Sequence, residues 1–399
     1  MKIFVINSGS SSLKYQLMQM PEATLLCSGL VDRIGLTNAT IAHKSYVNNI
    51  EKIHKETTEI ANHNEALATV VALLTNENFA VINSTTDIKV VGHRVVHGGI
   101  TFSKTIVINQ DVKNKILQLF PLAPLHLPAN YTGIEVGETI FTEAKQVAVF
   151  DTAFHQTMPP KAYRYAIPKD LYATHHIRAY GFHGTSHKYV SEKALQFLNN
   201  QQAKIITIHI GNGCSVTAVN AGKCIDTSMG LGPVSGLIMG TRSGDIDPTV
   251  IFHMVNKLNY DLGQVDHLLN KKSGLLGLCG FSDMREVKSA IQNGNDDAAL
   301  AYEMYAYRIK KYIGAYAAAL GGLDAIVFTG GIGENDATMR KQVVDGLSFM
   351  GLQLDDEKND SSEHSIRAIQ TNDATVALLV VPTNEELEIA KQCFGLLGE

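Results

Sequence analysis

The chain has 399 residues, 45% of them apolar and 18% charged, with 33 glycines and no tryptophan; this suits a folded protein long enough for two domains and argues against disorder. Its formal charge of −5 comes with no block of lysine and arginine able to neutralise a nucleic-acid backbone, so no nucleic-acid partner is expected. The longest clean apolar stretches, such as VALLVV at 376–381, are strand-sized, and only Ile3 to Ile6 stand between Lys2 and Asn7, so neither a membrane passage nor a signal peptide is expected and the location reads as cytoplasmic.

In chain order, the first expected strand is 2–7. It opens FVINSGSSSLKYQLM (4–18), in which apolar runs flank Gly9 and four serines, the pattern of a hairpin. Strand 88–97, VVGHRVVHGG from residue 90, carries Arg94 among apolar neighbours. A buried arginine needs a partner, so Arg94 is either half of a structural ion pair or a binding group. Strand 146–150 ends at Asp151, which can serve as a cap or as a reacting carboxylate. His183 and His187 are spaced like metal ligands on a helix, but Gly184 argues against a helix there and no third ligand is evident.

Strand 204–210 begins a second hairpin, ITIHIGNGCSVTAV (206–219), on the plan of the first. The echo suggests two copies of one domain type, whose glycine-bearing turns could present backbone N–H groups to an anion from two sides of a cleft; a plain turn is the alternative for each. MGTRSGDIDP (239–248) packs Arg242, Asp245 and Asp247 into a glycine-rich loop, a surface loop or a site. Residues 296–320 read as one long helix stopped by Gly321-Gly322. Strand 324–329 runs into FTGGIGEN (328–335), whose glycines would let a nucleotide approach the backbone. After strand 374–381, Thr383 and Glu386 fit a capping box, leaving Glu385 either to complement the helix dipole or to project beyond the helix start.

The alternation of strands and helices is α/β. No P-loop, no kinase catalytic Asp after His93-Arg94 and no H-E-x-x-H occurs. Five scattered cysteines without C-x-x-C spacing read as reduced thiols.

Eleven ordered blocks then combine: NSGSSSLK, GHRVVHGG, PLAPLHLPAN, VAVFDTAFHQTMP, YGFHGTSHKYV, HIGNG, DTSMG, GTRSGDIDP, FSDMREV, GGIGEN and PTNEE. In this order and spacing the chain resembles the acetate kinase (acetokinase) family nearly end to end. The resemblance implies the duplicated ribonuclease H-like two-domain fold of the acetate and sugar kinase, chaperone ATPase and actin superfamily. It places an N-terminal domain at 1–150, completed by a helix at 385–399, and a nucleotide-binding and dimerisation domain at 151–384. It implies reversible transfer of the ATP γ-phosphoryl group to acetate, giving acetyl phosphate and ADP, with Mg2+ (or Mn2+ in its place), a homodimer, and a place in acetyl-CoA biosynthesis.

Carried over block by block, Asn7 and Glu385 resemble the metal-site residues, and Arg94, His183, Arg242 and Asp151 the catalytic group. Arg94 with Val96, Leu125, Phe182 and Pro233 resembles the acetate site. Lys14, the loop His209, Ile210, Gly211, Asn212 and Gly213, the group Asp283, Met284 and Arg285, and the loop Gly331, Ile332, Gly333, Glu334 and Asn335 resemble the ATP contacts. The family's proposed acid or base is Asp151, but acetate is already ionised at neutral pH, with a pKa of about 4 to 5. Asp151 is therefore expected to orient an arginine or a metal-bound water. Ser8 and Cys214 stand where the family usually has alanine. Propionate or another short acid as substrate, and a non-transferring ATP-binding module on the same fold, are the alternatives.

Overall fold

A computed structural model describes residues 1–47 and 50–398. The chain divides into two compact units, one formed by Met1–Ala153 with the segment from Asn384 onward, the other by Phe154–Thr383. The expected boundaries stood at 150 and 385.

The first unit is built on an eight-stranded sheet. Its strands are β1 (Lys2–Ser8), β2 (Ser12–Gln19), β3 (Thr24–Asp32), β4 (Ala39–Val47), β5 (Ile50–Thr58), β6 (Ile88–Val95), β7 (Ile106–Val107) and β8 (Lys145–Phe150), in the order β5-β4-β3-β2-β1-β6-β8-β7. β1 and β2 pair antiparallel from Lys2↔Gln19 to Ser8↔Leu13, so Gly9 to Ser11 form the tip of the first hairpin. β1 is buried on both faces, and alternation sends its side chains two ways. Phe4 and Ile6 join Leu13, Tyr15 and Leu17 in one core, while Ile3 and Val5 join Val90, Val147 and Val149 in another. That second core is closed by Ile389, Ala390 and Cys393 of the helix Glu385–Leu397.

The second unit holds β9 (Lys204–Ile210), β10 (Cys214–Asn220), β11 (Lys223–Thr227), β12 (Ala325–Thr329), β13 (Arg367–Ala368) and β14 (Ala377–Val380), in the order β11-β10-β9-β12-β14-β13. In both units an antiparallel meander of three strands is followed by two strands parallel to the first of them: β3-β2-β1-β6-β8 in one, β11-β10-β9-β12-β14 in the other. The hairpin echo in the sequence is thus a repeat of whole-sheet topology. The helix Asp296–Leu320 spans the expected residues, and Gly321, at φ +63°, ends it in the left-handed conformation that glycine adopts without strain.

Three expectations need correction. Strands β3 to β5 were absent from the strand reading, because sequences such as IEKIHKETT interleave charge on an exposed face and carry no Val/Ile run. A helix does begin at Gly184, and His183 is its N-cap at φ +54°. The last helix is capped by Asn384, whose side chain accepts from the Leu387 N–H (2.9 Å), so the Thr383–Glu386 box does not form. Thr383 instead shares a hydrogen bond with Ser186 Oγ. No helix among the described residues is long and apolar enough to cross a membrane.

His93 on β6 is 2% exposed and bonded through Nε2 to Gln146 Oε1 (2.8 Å). Burial pushes its imidazole down from 6.5 to about 4, against a smaller upward pull from the Gln146 bond. The unfolded chain therefore binds the extra proton first, and the stability that neutral His93 contributes is present above pH 6.5 and lost as pH falls towards 4. Urea unfolding between pH 7 and 4.5 should show His93→Gln losing less stability over this window than the parent chain. Parallel curves would contradict the assignment.

Candidate functional site

In the first unit the chemistry gathers where β1, β6 and β8 end and the helix Glu385–Leu397 begins. Arg94 Nε donates to both Asp151 oxygens (3.1 and 3.0 Å), its Nη2 to Asp151 Oδ2 (2.6 Å) and its Nη1 to Asn7 Oδ1 (3.3 Å). Glu385 lies 4.0 Å from Arg94 Nε, and Lys14 Nζ is 2.7 Å from Glu386. The Asp151 side chain is 1% exposed and that of Arg94 20%. Burial works against the charge on Arg94, but Asp151 and then Glu385 outweigh it and hold the guanidinium protonated. For Glu385 burial is the larger influence and raises the carboxyl; Arg94 opposes the rise, while Asp151 and Glu386 add to it.

Three carboxylates thus face two cations, an imbalance that a further cation would correct. Asn7 Oδ1 and the Glu385 carboxylate are hard oxygen donors of the kind a divalent ion such as Mg2+ takes. Among the described residues no group of three or more His, Cys, Asp or Glu could chelate a metal by itself. That fits an ion which keeps several waters and shares phosphate oxygens.

In the second unit, His183 and Arg242 come together over Gly213. A Cβ built on Gly213 would stand 3.1 Å from His183 Nε2 and 3.2 Å from Arg242 Nη2, so any larger residue would press on these groups and glycine keeps the turn close to them. Arg242 Nη1 donates to the Pro233 carbonyl (2.7 Å), and among the described residues no carboxylate pairs with it; burial lowers its pKa. A half-buried cation with no counter-charge is poised for an anion. His183 is held by Nδ1 on Ser215 Oγ (2.9 Å) and by its ring stacked on His209 (centroids 4.5 Å). Ser215 Oγ also meets His187 Nε2 (2.7 Å), and His187 Nδ1 meets Thr207 Oγ1 (2.8 Å).

The same unit contains a cavity of about 650 Å³. Gly211, Asn212, Asp283, Met284, Arg285, Gly331, Ile332 and Asn335 line it. So do Gly240 and Ser282, which lie in quoted blocks without an assigned role, and Leu275, Lys288 and Asp336, which lie outside every block. Lys288 Nζ is bonded to Asp336 Oδ1 (2.9 Å) and Tyr302 donates to Asp336 Oδ2 (3.2 Å), so the cavity wall carries a tied charge pair. Lys288 lies one turn beyond Arg285 on the helix Met284–Gln292, and that spacing was the available signal. The Arg285 side chain is 90% exposed and forked onto Asp283, whose carboxyl this hydrogen bond holds down at about 2.

Several expected contacts fall elsewhere. Glu334 turns back on its own loop, accepting from the N–H groups of Gly330 (2.9 Å) and Thr383 (3.0 Å), so its carboxylate is a structural clasp. His209 Nδ1 is bonded to Ser186 Oγ (2.8 Å). His209, Ile210, Gly213, Gly333 and Glu334 do not line the cavity, and Gly333 and Ile210 are buried. Lys14 is engaged by Glu386. Of the apolar four, Val96 is half-buried and Leu125 53% exposed in the first unit; in the second, Phe182 is 2% exposed and Pro233 half-buried.

The acetokinase family model matches residues 2–391. An acetate kinase of Flavobacterium johnsoniae is 54% identical over 397 residues, covering 100% of both chains, and one of Halothermothrix orenii is 50% identical, covering 98% of each. Among solved structures, the acetate kinase of Porphyromonas gingivalis superposes with a TM-score of 0.92 at 44% identity over 99% of each chain. A propionate kinase of Francisella tularensis does so with a TM-score of 0.90 at 43% identity over 98% of each.

Because the Asp151 side chain is almost wholly buried and accepts three contacts from Arg94, Arg94→Ala should break a buried ion pair and cost about 3–5 kcal/mol. Replacing both partners together, Arg94→Leu with Asp151→Leu, should recover most of that loss. Chemical denaturation of the single and double variants measures the difference; equal losses would show that the pair carries little of the local stability.

Proposed function

The chain belongs to the acetokinase family, and on that footing we propose that it transfers the γ-phosphoryl group of ATP to acetate, reversibly, yielding acetyl phosphate and ADP. The observation that carries the reading is Arg242: a half-buried guanidinium without a carboxylate, beside His183 at a turn kept open by Gly213. A migrating phosphoryl group spreads negative charge over three oxygens, so its catalyst chiefly needs fixed donors and positive charge.

The nucleotide is assigned to the cavity of the second unit, with its phosphates towards Gly211 to Gly213 and Gly331 to Asn335. Asp283 to Arg285 and Lys288 form the wall beside it. Arg242 and His183 take the phosphoryl charge, and Ser215 fixes the imidazole through Nδ1 so that Nε2 faces the reacting group. Arg94 binds the acetate carboxylate. Asn7 and Glu385 would hold Mg2+, which when bound neutralises charge on the phosphate oxygens.

Acetate arrives as a carboxylate, with no proton to remove. Asp151 is therefore assigned the work its geometry supports, holding the Arg94 guanidinium by three hydrogen-bond contacts. Val96, Leu125, Phe182 and Pro233 are assigned to the acetate methyl group. A methylene in such a site changes preference only by about 10- to 200-fold, which keeps propionate as the second reading. The similar fold of a propionate kinase is what favours keeping it. We also assign a homodimer, since Phe252, Leu258 and Leu262 are 62%, 55% and 71% exposed on neighbouring helices.

Three outcomes are expected. Trapping acetyl phosphate as its hydroxamate should show product only when both ATP and acetate are supplied, and Arg242→Ala should lower kcat by about 10²–10³-fold; ATP hydrolysis indifferent to acetate would overturn the transfer reading in favour of a binding module. In side-by-side kinetics acetate should exceed propionate and butyrate in kcat/KM. Asp151→Asn should lose activity while the pH dependence of kcat keeps its limbs; a limb that vanishes with Asp151 would restore proton transfer.

A further inference from the structure

β1 and β6 pair in parallel only as far as Ile6 and His93, although β1 runs on to Ser8 and β6 to Val95. The strands part at the point where they carry Asn7 and Arg94. Beside the Arg94–Asn7 contact, a side chain from the helix Leu127–Ile140 bridges the two strand ends. Asn130, 3% exposed, donates through Nδ2 to the Ser8 carbonyl (2.7 Å) and accepts through Oδ1 from the Val96 N–H (3.0 Å). One buried amide thus stands in for the ladder bonds that the parted strands no longer make to each other, and both of its ends are used.

The helix reaches this depth because its inner face is stripped of bulk. A Cβ on Gly133, one turn after Asn130, would lie 2.7 Å from the Ser8 Cβ, and one on Gly137 would lie 2.8 Å from the His93 ring. Asn130, Gly133 and Gly137 follow each other at helical spacing, so the same surface that seats the helix against β1 and β6 aims the amide into the split.

We propose that Asn130 is a positioning residue for the phosphoryl-transfer site: it sets the separation of the two strand ends and thereby the registration of Asn7 against Arg94. The Asn7–Arg94 contact is already long at 3.3 Å, so a small change in strand separation breaks it. No other side chain of similar size offers a donor for Ser8 and an acceptor for Val96 at the same reach. Aspartate keeps the shape but sets an acceptor against the Ser8 carbonyl, and alanine leaves both backbone groups without a partner. The inference rests on the assignment of Arg94 to acetate and of Asn7 to the metal made above.

The test compares Asn130→Asp and Asn130→Ala with the parent chain in steady-state kinetics, Mg2+ titration and hydrogen exchange at the Val96 amide. Positioning predicts that the KM for acetate and the half-saturating Mg2+ each rise by about tenfold and kcat falls by up to about 100-fold, because an error near 1 Å in placing a reacting partner costs that much. The KM for ATP should stay within about twofold, since all the residues assigned to the nucleotide except Lys14 belong to the other unit. The Val96 amide should exchange faster in Asn130→Ala while amides of Phe4 and Val5 keep their protection. Parallel losses for ATP and acetate, or acetate and Mg2+ parameters within about twofold of the parent, overturn the proposal. If one variant does not fold, the other decides. If the parent chain itself makes no acetyl phosphate, the functional reading fails, and the Val96 amide alone judges whether Asn130 holds the strand ends.

Discussion

A guanidinium cannot rest unpaired in an apolar strand, and the first unit is arranged around that constraint. Arg94 stands among Val91, Val95 and Val149, each at most 1% exposed, and the fold answers with Asp151 at the end of the neighbouring strand and Asn7 at the end of the strand on the other side. Three parallel strands terminate together, so three polar side chains converge without any of them entering the core. Glu385 and Glu386 arrive from a helix that is remote in sequence but packed on the same sheet. The result is an ion cluster with one carboxylate in excess, a charge state that a bound cation would balance.

The second unit uses the same sheet topology to the opposite electrostatic end. Its first hairpin also closes on glycines, but the groups around the turn are His183 and Arg242, and among the described residues no carboxylate pairs with Arg242. The duplication therefore supplies two equivalent platforms, one finished with excess negative charge and one with excess positive charge. The histidine network behind His183 runs through Ser215 and His187 into the sheet, so the imidazole orientation is set by the core and not by solvent.

Much of this was legible in the sequence where backbone periodicity and charge burial speak directly. The six strands follow from runs of Val and Ile, the helix 296–320 from its alanines, its lack of proline and the Gly321-Gly322 stop, the repeated hairpin from alternation about glycine-bearing turns, and the need of Arg94 for a partner from its apolar neighbours. The meander β3 to β5 was not legible, because its exposed face is charged and its buried residues are interrupted by histidine and serine. At the last helix, Thr383 and Glu386 matched a capping box, yet Asn384 took the cap because Thr383 is bound to Ser186 and Glu386 to Lys14. Glu334 stands in a glycine-rich loop that suggests contact with ligand, and its carboxylate accepts from the N–H groups of Gly330 in that loop and of Thr383 beyond the last strand, bonds that no sequence pattern shows. Lys288 and Asp336 lie outside every quoted block and Asn130 ends one without a role assigned to it, so packing gathers them.

The closing helix of the first unit, Glu385–Leu397, is separated from the rest of that unit by the whole of the second. Ribosomal synthesis at about 5–20 residues per second means that Ile3, Val5, Val90, Val147 and Val149 leave the exit tunnel many seconds before Ile389, Ala390 and Cys393 exist to cover them. The amino-terminal lobe is thus born with an uncovered oily surface. Its maturation is a late event, completed only after its carboxyl-terminal neighbour has been translated.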